Sequence, residues 1–255
     1  KGATGWSYRE VLPYFKRLET WEGGESEFRG GSGPIGVQYA RTQDKLYAAW
    51  IESARALGYP ITSDYNGQQQ DGVGIYHTNI RKGERFSVTN AFLRPAMRRP
   101  NLKVITQAQA TRVLLEGRRA SGLEFLRGNK LTRVECHREV LLCGGAIGSP
   151  HLLLLSGIGP AAELRARELP VVLDLPGVGE NLQDHLMGSL VYGCKDRGVT
   201  LDHADTKPWN LLRYLLFRSG PFTSNIGEAG AFARTADGVS APDIQIFFGP
   251  AYYVN

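Results

Sequence analysis

The sequence has few cysteines and no long hydrophobic run, and both shortages exclude classes of protein. Its three cysteines, Cys136, Cys143 and Cys194, are an odd number without CxxC spacing. They therefore indicate neither a disulfide framework nor a zinc site, and they favour a reducing compartment such as the cytoplasm. No apolar stretch reaches the ~18 residues that a membrane span requires, so we expect no transmembrane segment in this chain.

Charge of one sign is not concentrated anywhere along the chain. The 30 basic and 25 acidic residues are interspersed and leave a net charge of +5. Short basic pairs such as Arg98-Arg99 and Arg118-Arg119 are typical of a solvated surface and do not form a nucleic-acid stripe. We therefore expect no nucleic-acid partner.

Glycine and proline, in contrast, are plentiful, at 31 and 13 of 255 residues. With 42% hydrophobic residues, the chain is long enough to bury a core as one large domain or two smaller ones. It begins at Lys1 without a methionine and ends in FFGPAYYVN, which predicts an internal fragment of a longer protein.

Local patterns predict a mixed architecture of α/β and α+β type. Ser7 and Glu10 form a capping box at the start of a helix, and a second helix is expected over about 43–57. From residue 101, the runs LKVIT, TRVLLE, GLEFLR and KLTRVEC alternate with turn signals and predict an antiparallel meander. Further elements are expected as strands at 186–193 and 243–248 and as a helix at 209–218.

The stretch GGAIGSPHLLLLSGIGP, residues 144–160, is a glycine-rich turn that follows the apolar run REVLLC. We expect REVLLC to be a buried strand and a short helix to begin with Ser149 as its N-cap and Pro150 in its first turn. Such turns often hold phosphates, but this one is not a GxGxxG and contains no lysine.

This stretch resembles the second signature of the glucose–methanol–choline (GMC) family of flavin oxidoreductases. Three other stretches agree with the family in order and spacing: GWSYREVLPYFKRLE (5–19), RPNLKVIT (99–106) and LPGVGENLQDH (175–185). The resemblance covers essentially the whole chain. It implies FAD as cofactor and the central part of a GMC-type FAD-binding domain, with part of the antiparallel-sheet substrate domain.

The resemblance also implies a division of the chain. Residues 1–86 would supply helices and loops on the substrate side, residues 87–184 the central part of the FAD-binding domain, and residues 185–255 the start of the substrate-binding domain. The phosphate-cradling GxGxxG would belong to a βαβ unit that precedes Lys1.

Three residues are candidates for cofactor binding on the family match. Gly144 and Gly145 would lie close to the adenine-nucleotide half of FAD, because backbone without a Cβ can approach a ligand. Ala110 matches the strand whose backbone brackets the adenine ring, although other members often carry Val there. The alternatives are a tight turn that serves only helix packing and an ordinary meander strand.

Glu228, in the stretch SNIGEAGAF, is the candidate for substrate binding. In choline-oxidising members of the family a glutamate at the matching place lines the substrate cavity, where it can pair with a quaternary ammonium. The alternative is a structural carboxylate bonded to backbone amides or to an arginine such as Arg234. Asn181, Asp184 and His185 have the types of metal ligands, but after PGVGE we interpret them as turn and cap residues.

The function implied by the resemblance is oxidation of the CH-OH group of choline or another primary alcohol, with hydride transfer to flavin N5. The family's catalytic histidine and its His/Asn partner would lie beyond Asn255, so no catalytic residue is assigned here. The alternatives are a hydroxynitrile lyase of the same family and a non-catalytic flavin-fold binding module. The alcohol and the electron acceptor stay open.

Overall fold

The computed structural model describes residues 3–42, 44–195, 199–201 and 207–251. The described residues fall into two compact units, one drawn from residues 1–102 and 189–255 and the other from residues 103–188. The division into three functional parts at residues 87 and 185 stays a prediction.

The chain up to residue 102 combines three helices with six short strands. The helices are α1 (Tyr8–Leu18), α2 (Lys45–Ala56) and α3 (Arg94–Ala96), the last preceded by a π-helical turn at Thr89–Leu93. The strands are β1 (Glu19–Trp21), β2 (Ile35–Tyr39), β3 (Gly72–Ile75), β4 (His77–Thr78), β5 (Ile80–Arg81) and β6 (Glu84–Arg85). Most of these strands are too short to show a periodic pattern, which is why the sequence did not reveal them.

Both helix starts follow local hydrogen-bonding chemistry. The Glu10 carboxylate accepts hydrogen bonds from the N–H and the hydroxyl of Ser7 at 3.0 and 2.6 Å, so the predicted capping box is present. The helix expected over 43–57 begins at Lys45, because the Asp44 carboxylate accepts from the N–H of Leu46 at 2.8 Å and caps it.

The second unit is built around the predicted antiparallel meander. It consists of β7 (Gln109–Glu116), β8 (Arg119–Arg127) and β9 (Lys130–Glu135), in the order β7-β8-β9. The register of β7 on β8 shifts between Ala110 and Arg112 and again between Leu114 and Leu115. LKVIT, although strand-like in sequence, is not part of the meander.

After the meander come α4 (Gly145–Leu155), β10 (Ile158–Gly159), α5 (Ala161–Ala166) and β11 (Leu173–Asp174), with β10 and β11 paired in parallel. The predicted start of α4 is wrong, because the helix begins at Gly145 and not at Ser149. The Ser149 hydroxyl accepts the N–H of Gly144 at 2.9 Å, so it closes the turn from inside the helix.

REVLLC, residues 138–143, is not a strand, and its predicted burial is wrong too, since Leu141 is 75% exposed. A strand is defined by pairing with a neighbour, and no described segment pairs with this run. The same reason applies to residues 186–193, where the predicted strand is absent and Leu190 is exposed.

The chain then returns to the first unit with α6 (Pro208–Phe217), a 3₁₀ turn at Pro221–Thr223, β12 (Ala229–Ala233) and β13 (Ile244–Phe248). The helix predicted at 209–218 and the strand predicted at 243–248 are thereby confirmed. The central strand β12 pairs antiparallel with β13 on one side and β3 on the other.

Helix α2 covers one face of this three-stranded sheet. Ala54 packs with Val73 and Ala231 in a buried cluster, and Trp50 and Ile51 pack against it. The apolar burial fixes α2 on β3 and β12. It also places the helix beside the start of β12, where Glu228 precedes the strand.

Candidate functional site

A cleft of about 260 Å³ opens in the second unit between the meander and the start of α4. It is lined by Ala110, Leu123, the extended run Val140–Gly144, and Gly148, Ser149 and Leu152 of α4. Two of the three predicted cofactor residues, Ala110 and Gly144, therefore meet in one cleft. Gly145 follows Gly144 directly but does not line it.

The wall of the cleft offers unused backbone groups. Within the described part of the chain, no hydrogen bond reaches the backbone of Val140–Cys143. Backbone N–H and C=O groups need partners once water is removed, so this run can bond either a neighbouring strand or a ligand. Most of the lining side chains are small or apolar, which suits the flat face of a heteroaromatic ring.

The two glycines are required for different reasons. A Cβ on Gly144 would lie 2.9 Å from the backbone nitrogen of Ser149 and 3.0 Å from the carbonyl carbon of Gly148, so a side chain would force the turn apart. Gly145 has open space around it but a φ of +75°, a left-handed conformation that residues with a Cβ rarely adopt. The turn thus depends on glycine at both positions.

The letters GSGPIG at residues 31–36 also match GxGxxG. In the structure this run leads directly into strand β2, whereas a dinucleotide-binding loop joins a strand to the N-terminus of a helix. The match in letters therefore has no matching geometry.

Glu228, in the first unit, is completely buried, with 0% of its surface exposed. Its backbone carbonyl accepts the N–H of Tyr76 at 2.7 Å. The hydroxyl of Tyr47 donates to the carbonyl of Ile226 at 2.6 Å, and the indole N–H of Trp50 donates to the carbonyl of Gly230 at 3.2 Å. Backbone contacts on both sides therefore hold this residue in place.

The carboxylate of Glu228 is left without an ion-pair partner. Among the described residues, neither of its oxygens makes a hydrogen bond of good geometry, and the hydroxyl of Thr42 is likewise buried without a well-formed bond. Burial raises the pKa of Glu228, and the nearby Ser224 and Thr42 hydroxyls offset only part of that effect. Arg234 pairs with Asp71 at 2.8 Å instead, so it does not neutralise Glu228.

Aromatic rings surround this part of the sheet. Phe248 stacks on Trp50 with ring centroids 4.8 Å apart and meets Tyr47 edge-on at 6.3 Å. Tyr47 lies near Glu228. The pKa of the Tyr47 phenol is raised mainly by burial and secondly by the negative charge of Glu228. A carboxylate among aromatic faces is a chemical setting that favours an organic cation.

The structure also brings together a charged cluster that the sequence analysis missed. Arg29 is buried among Glu19, Asp64 and His77. These partners lie 10, 35 and 48 positions from Arg29 in the sequence. No local pattern could have predicted such a cluster, because sequence spacing reports only near neighbours.

Asp184 and His185 are exposed at the turn after PGVGE, and the N–H of His185 donates to the Asp184 carboxylate at 2.9 Å. Asn181 has a φ of +56°, as turn residues often do. In the described ranges no group of three or more potential ligands could hold a metal ion. The same residues contain no helix of sufficient length and apolar character to cross a bilayer.

Comparison with known proteins decides the family. The family model described as GMC oxidoreductase matches residues 1–187. The chain belongs to the GMC oxidoreductase family. The family and the mixed α/β fold predicted from four sequence stretches are thereby confirmed, and FAD is the cofactor that the family and its solved structures indicate.

Curated relatives of high similarity include two bacterial proteins named oxygen-dependent choline dehydrogenase. The one from Brucella suis biovar 1 is 42% identical over 253 residues, which cover 98% of this chain and 46% of the relative. The one from Burkholderia cenocepacia is 45% identical over 256 residues, which cover 98% and 45%. The chain thus spans about half the length of these relatives.

Solved structures agree on the fold. A FAD-dependent oxidoreductase from Chaetomium thermophilum matches with a TM-score of 0.77 at 27% identity, covering 91% of this chain and 44% of that one. Pyridoxine 4-oxidase from Mesorbium loti matches with a TM-score of 0.63 at 34% identity, covering 67% and 34%. Formate oxidase from Aspergillus oryzae, at 23% identity and a TM-score of 0.83 over 97% and 49%, supports the fold alone.

Proposed function

We propose that this chain is part of a FAD-dependent oxidoreductase that oxidises the CH-OH group of choline or another primary alcohol. The observation that carries the proposal is the 42% identity with the Brucella suis choline dehydrogenase over 98% of the chain. The matched region covers nearly all of this chain and so spans both compact units.

The cleft would hold the adenine end of FAD. Its volume of about 260 Å³ is below the usual range of pockets for drug-sized ligands, about 300–1,000 Å³, so it suits one part of a dinucleotide. The backbone at Ala110 and along Val140–Gly144 would contact the nucleotide, and Gly145 would allow the turn that brings Gly144 close. FAD supplies the capacity to accept a hydride from the carbinol carbon.

Glu228 would line the substrate cavity and bind the positive end of the alcohol. Its carboxylate is buried and has no counter-charge within hydrogen-bond distance among the described residues. An organic cation would supply the missing charge, favour the ionised carboxylate and lie near the aromatic faces of Tyr47 and Trp50. A neutral alcohol would form neither the charge pair with Glu228 nor the cation–π contacts.

The family resemblance implies that the base that removes the hydroxyl proton lies beyond Asn255, and the proposal adopts that position. The histidines in the described structure do not offer a better candidate. His77 is enclosed by Arg29 and Asp64, and burial lowers its pKa, while His185 lies at an exposed turn.

The test uses the full-length protein purified with its flavin and mixed anaerobically with choline. Bleaching of the visible flavin bands, with formation of the aldehyde, is the expected result. A hydroxynitrile lyase would release cyanide from a cyanohydrin without net reduction of the flavin. A binding module would change the spectrum with neither substrate, and either of these outcomes would overturn the proposal.

A further inference from the structure

Among the described residues of the first unit, Arg29 is the most completely enclosed cation, with 2% of its surface exposed. Its Nε and Nη2 atoms donate to the two carboxylate oxygens of Glu19 at 3.0 and 2.6 Å. Its Nη1 atom donates to Asp64 at 2.7 Å and lies 3.2 Å from Nδ1 of His77. The guanidinium also lies over the ring of Trp21, 4.3 Å from its centroid.

This geometry uses the planar fork of arginine fully. The bidentate contact with Glu19 and the third bond to Asp64 fix the guanidinium in one orientation. Both carboxylates are largely buried, with side chains 18% and 24% exposed. Lysine could not make the same set of contacts, because it carries a single nitrogen.

Two chain segments run from Arg29 to the strand that carries Glu228. Asp64 adjoins Tyr65, whose hydroxyl donates to the carbonyl of Gly230 at 2.7 Å. His77 adjoins Tyr76, whose N–H donates to the carbonyl of Glu228 itself at 2.7 Å. The rings of Tyr65 and Tyr76 contact each other, with centroids 4.9 Å apart.

We propose that Arg29 is a positioning residue for Glu228. The Glu228 carboxylate makes no hydrogen bond of good geometry among the described residues, although the hydroxyls of Ser224 and Thr42 lie near it. Its location is therefore set by its backbone, and the backbone is held by Tyr76 and, two residues further on, by Tyr65. Arg29 fixes both tyrosines through their chain neighbours His77 and Asp64.

The inference rests on the proposed role of Glu228 as the group that binds a cationic alcohol. Loosening the Arg29 cluster would move the carboxylate relative to the cation but would change little for a neutral alcohol. A merely structural cluster would instead lower the melting temperature and the yield of flavin-containing enzyme, and it would leave the preference between the two alcohols unchanged.

The experiment compares KM for choline with KM for 3,3-dimethylbutan-1-ol, its neutral isostere, in the full-length enzyme with rates normalised to flavin. The variants are Arg29→Lys and the milder Asp64→Asn, which retains an oxygen acceptor for Arg29. The melting temperature and flavin content of each variant are measured alongside. Arg234→Lys is the matched control, because it weakens an Arg–Asp contact at the far end of β12, where Arg234 pairs with Asp71 at 2.8 Å.

We expect Arg29→Lys and Asp64→Asn to raise the KM for choline about threefold to tenfold, a range typical of residues coupled in one hydrogen-bonded network. The KM for the neutral alcohol should stay unchanged in these variants. In Arg234→Lys, the KM for choline and the KM for the neutral alcohol should both stay unchanged. In a Glu228→Gln background, Asp64→Asn should have no further effect on the preference.

Two results would overturn the inference, and they are distinguishable. If Glu228→Gln lowers the preference for choline but Asp64→Asn and Arg29→Lys do not, Arg29 is structural and the role of Glu228 stands. If Glu228→Gln leaves the preference unchanged, the cation-binding role of Glu228 fails, and the positioning role of Arg29 fails with it.

Discussion

The cleft around Gly144 presents mostly backbone, whereas the site around Glu228 presents a single buried charge. In the cleft, the run Val140–Cys143 has unbonded backbone and the glycines permit the turn. At the other site the backbone carbonyls of Ile226, Glu228 and Gly230 accept hydrogen bonds, and among the described side chains there the Glu228 carboxylate and the Thr42 hydroxyl are left unsatisfied. Backbone groups suit a site that always binds the same cofactor. A buried side-chain charge suits a site that must discriminate between charged and neutral substrates.

Two buried carboxylates, one in each compact unit, also differ in their surroundings, although the one in the second unit, Glu124, does not line the cleft. Burial raises the pKa of Glu228, while a hydrogen bond from Arg133 lowers that of Glu124 in the meander, even though Glu124 is itself hardly exposed. A paired carboxylate stabilises the fold in its charged form, and an unpaired one does so in its neutral form. Glu228 therefore has the features of a group retained for binding.

The largest effect is expected when the cleft is separated from the rest of the enzyme. The 255-residue chain purified alone should be colourless, because its described residues contain no strand–GxGxxG–helix unit to hold the pyrophosphate. The flavin-to-protein ratio measured by absorbance decides this. A yellow preparation with flavin near stoichiometry would show that the cleft binds the cofactor by itself.

A substitution at Gly145 should weaken FAD binding in the cleft and leave the site around Glu228 unchanged. Gly145→Val in the full-length protein places a β-branched residue at a φ of +75°, which costs about 1–3 kcal/mol and displaces the turn at Gly144. The expected result is a lower flavin content. Gly177→Ala is the control, since Gly177 does not line the cleft and a Cβ there meets nothing within 4 Å. Unchanged flavin content with a lowered melting temperature in Gly145→Val would favour the packing role.

The smallest expected effect is a difference between Glu228 and Glu124 in how each makes the stability of the fold depend on pH. The pKa of Glu228 in the folded chain lies above its ordinary value of 4.5, so the native state binds the proton more tightly and loses stability as pH rises above 4.5. Glu228→Gln should therefore become more stable relative to wild type with rising pH. Urea midpoints across the acidic and neutral range measure this.

Glu124→Gln should behave in the opposite way. The pKa of Glu124 is lowered below 4.5, so its stabilising contribution is present above 4.5 and is lost as pH falls through the lowered value. This variant should be less stable than wild type at neutral pH and approach it in acid. Parallel pH profiles for the two variants would contradict the assigned environments.

The sequence was informative where structure depends on near neighbours. The meander follows from alternating runs separated by turn residues, and α1 from Ser7 and Glu10, since each signal lies within a few residues of what it determines. The start of α4 was mispredicted, because the sequence shows that residue 145 is a glycine but does not show that its φ is positive. REVLLC was mispredicted because a strand requires a partner that local sequence does not report.

For the sites, the sequence identified Glu228 by its small neighbours, and the structure shows that it is buried. It placed Ala110 and Gly144 as a pair only through the family resemblance, and the structure brings them to one cleft. The Arg29 cluster could not be predicted at all, since its contacts join distant segments. Two further aromatic residues that follow Phe248 closely in the sequence, Tyr252 and Tyr253, lie outside the described residues.

The most direct test of the account is the anaerobic rate of flavin reduction in the full-length enzyme, measured against the concentration of choline and of 3,3-dimethylbutan-1-ol. Glu228→Gln should raise the half-saturating concentration of choline by an amount equivalent to about 1–3 kcal/mol, the cost of losing a charged partner, and leave the neutral alcohol unchanged. Equal responses to both alcohols, or reduction by neither in the wild type, would contradict the account.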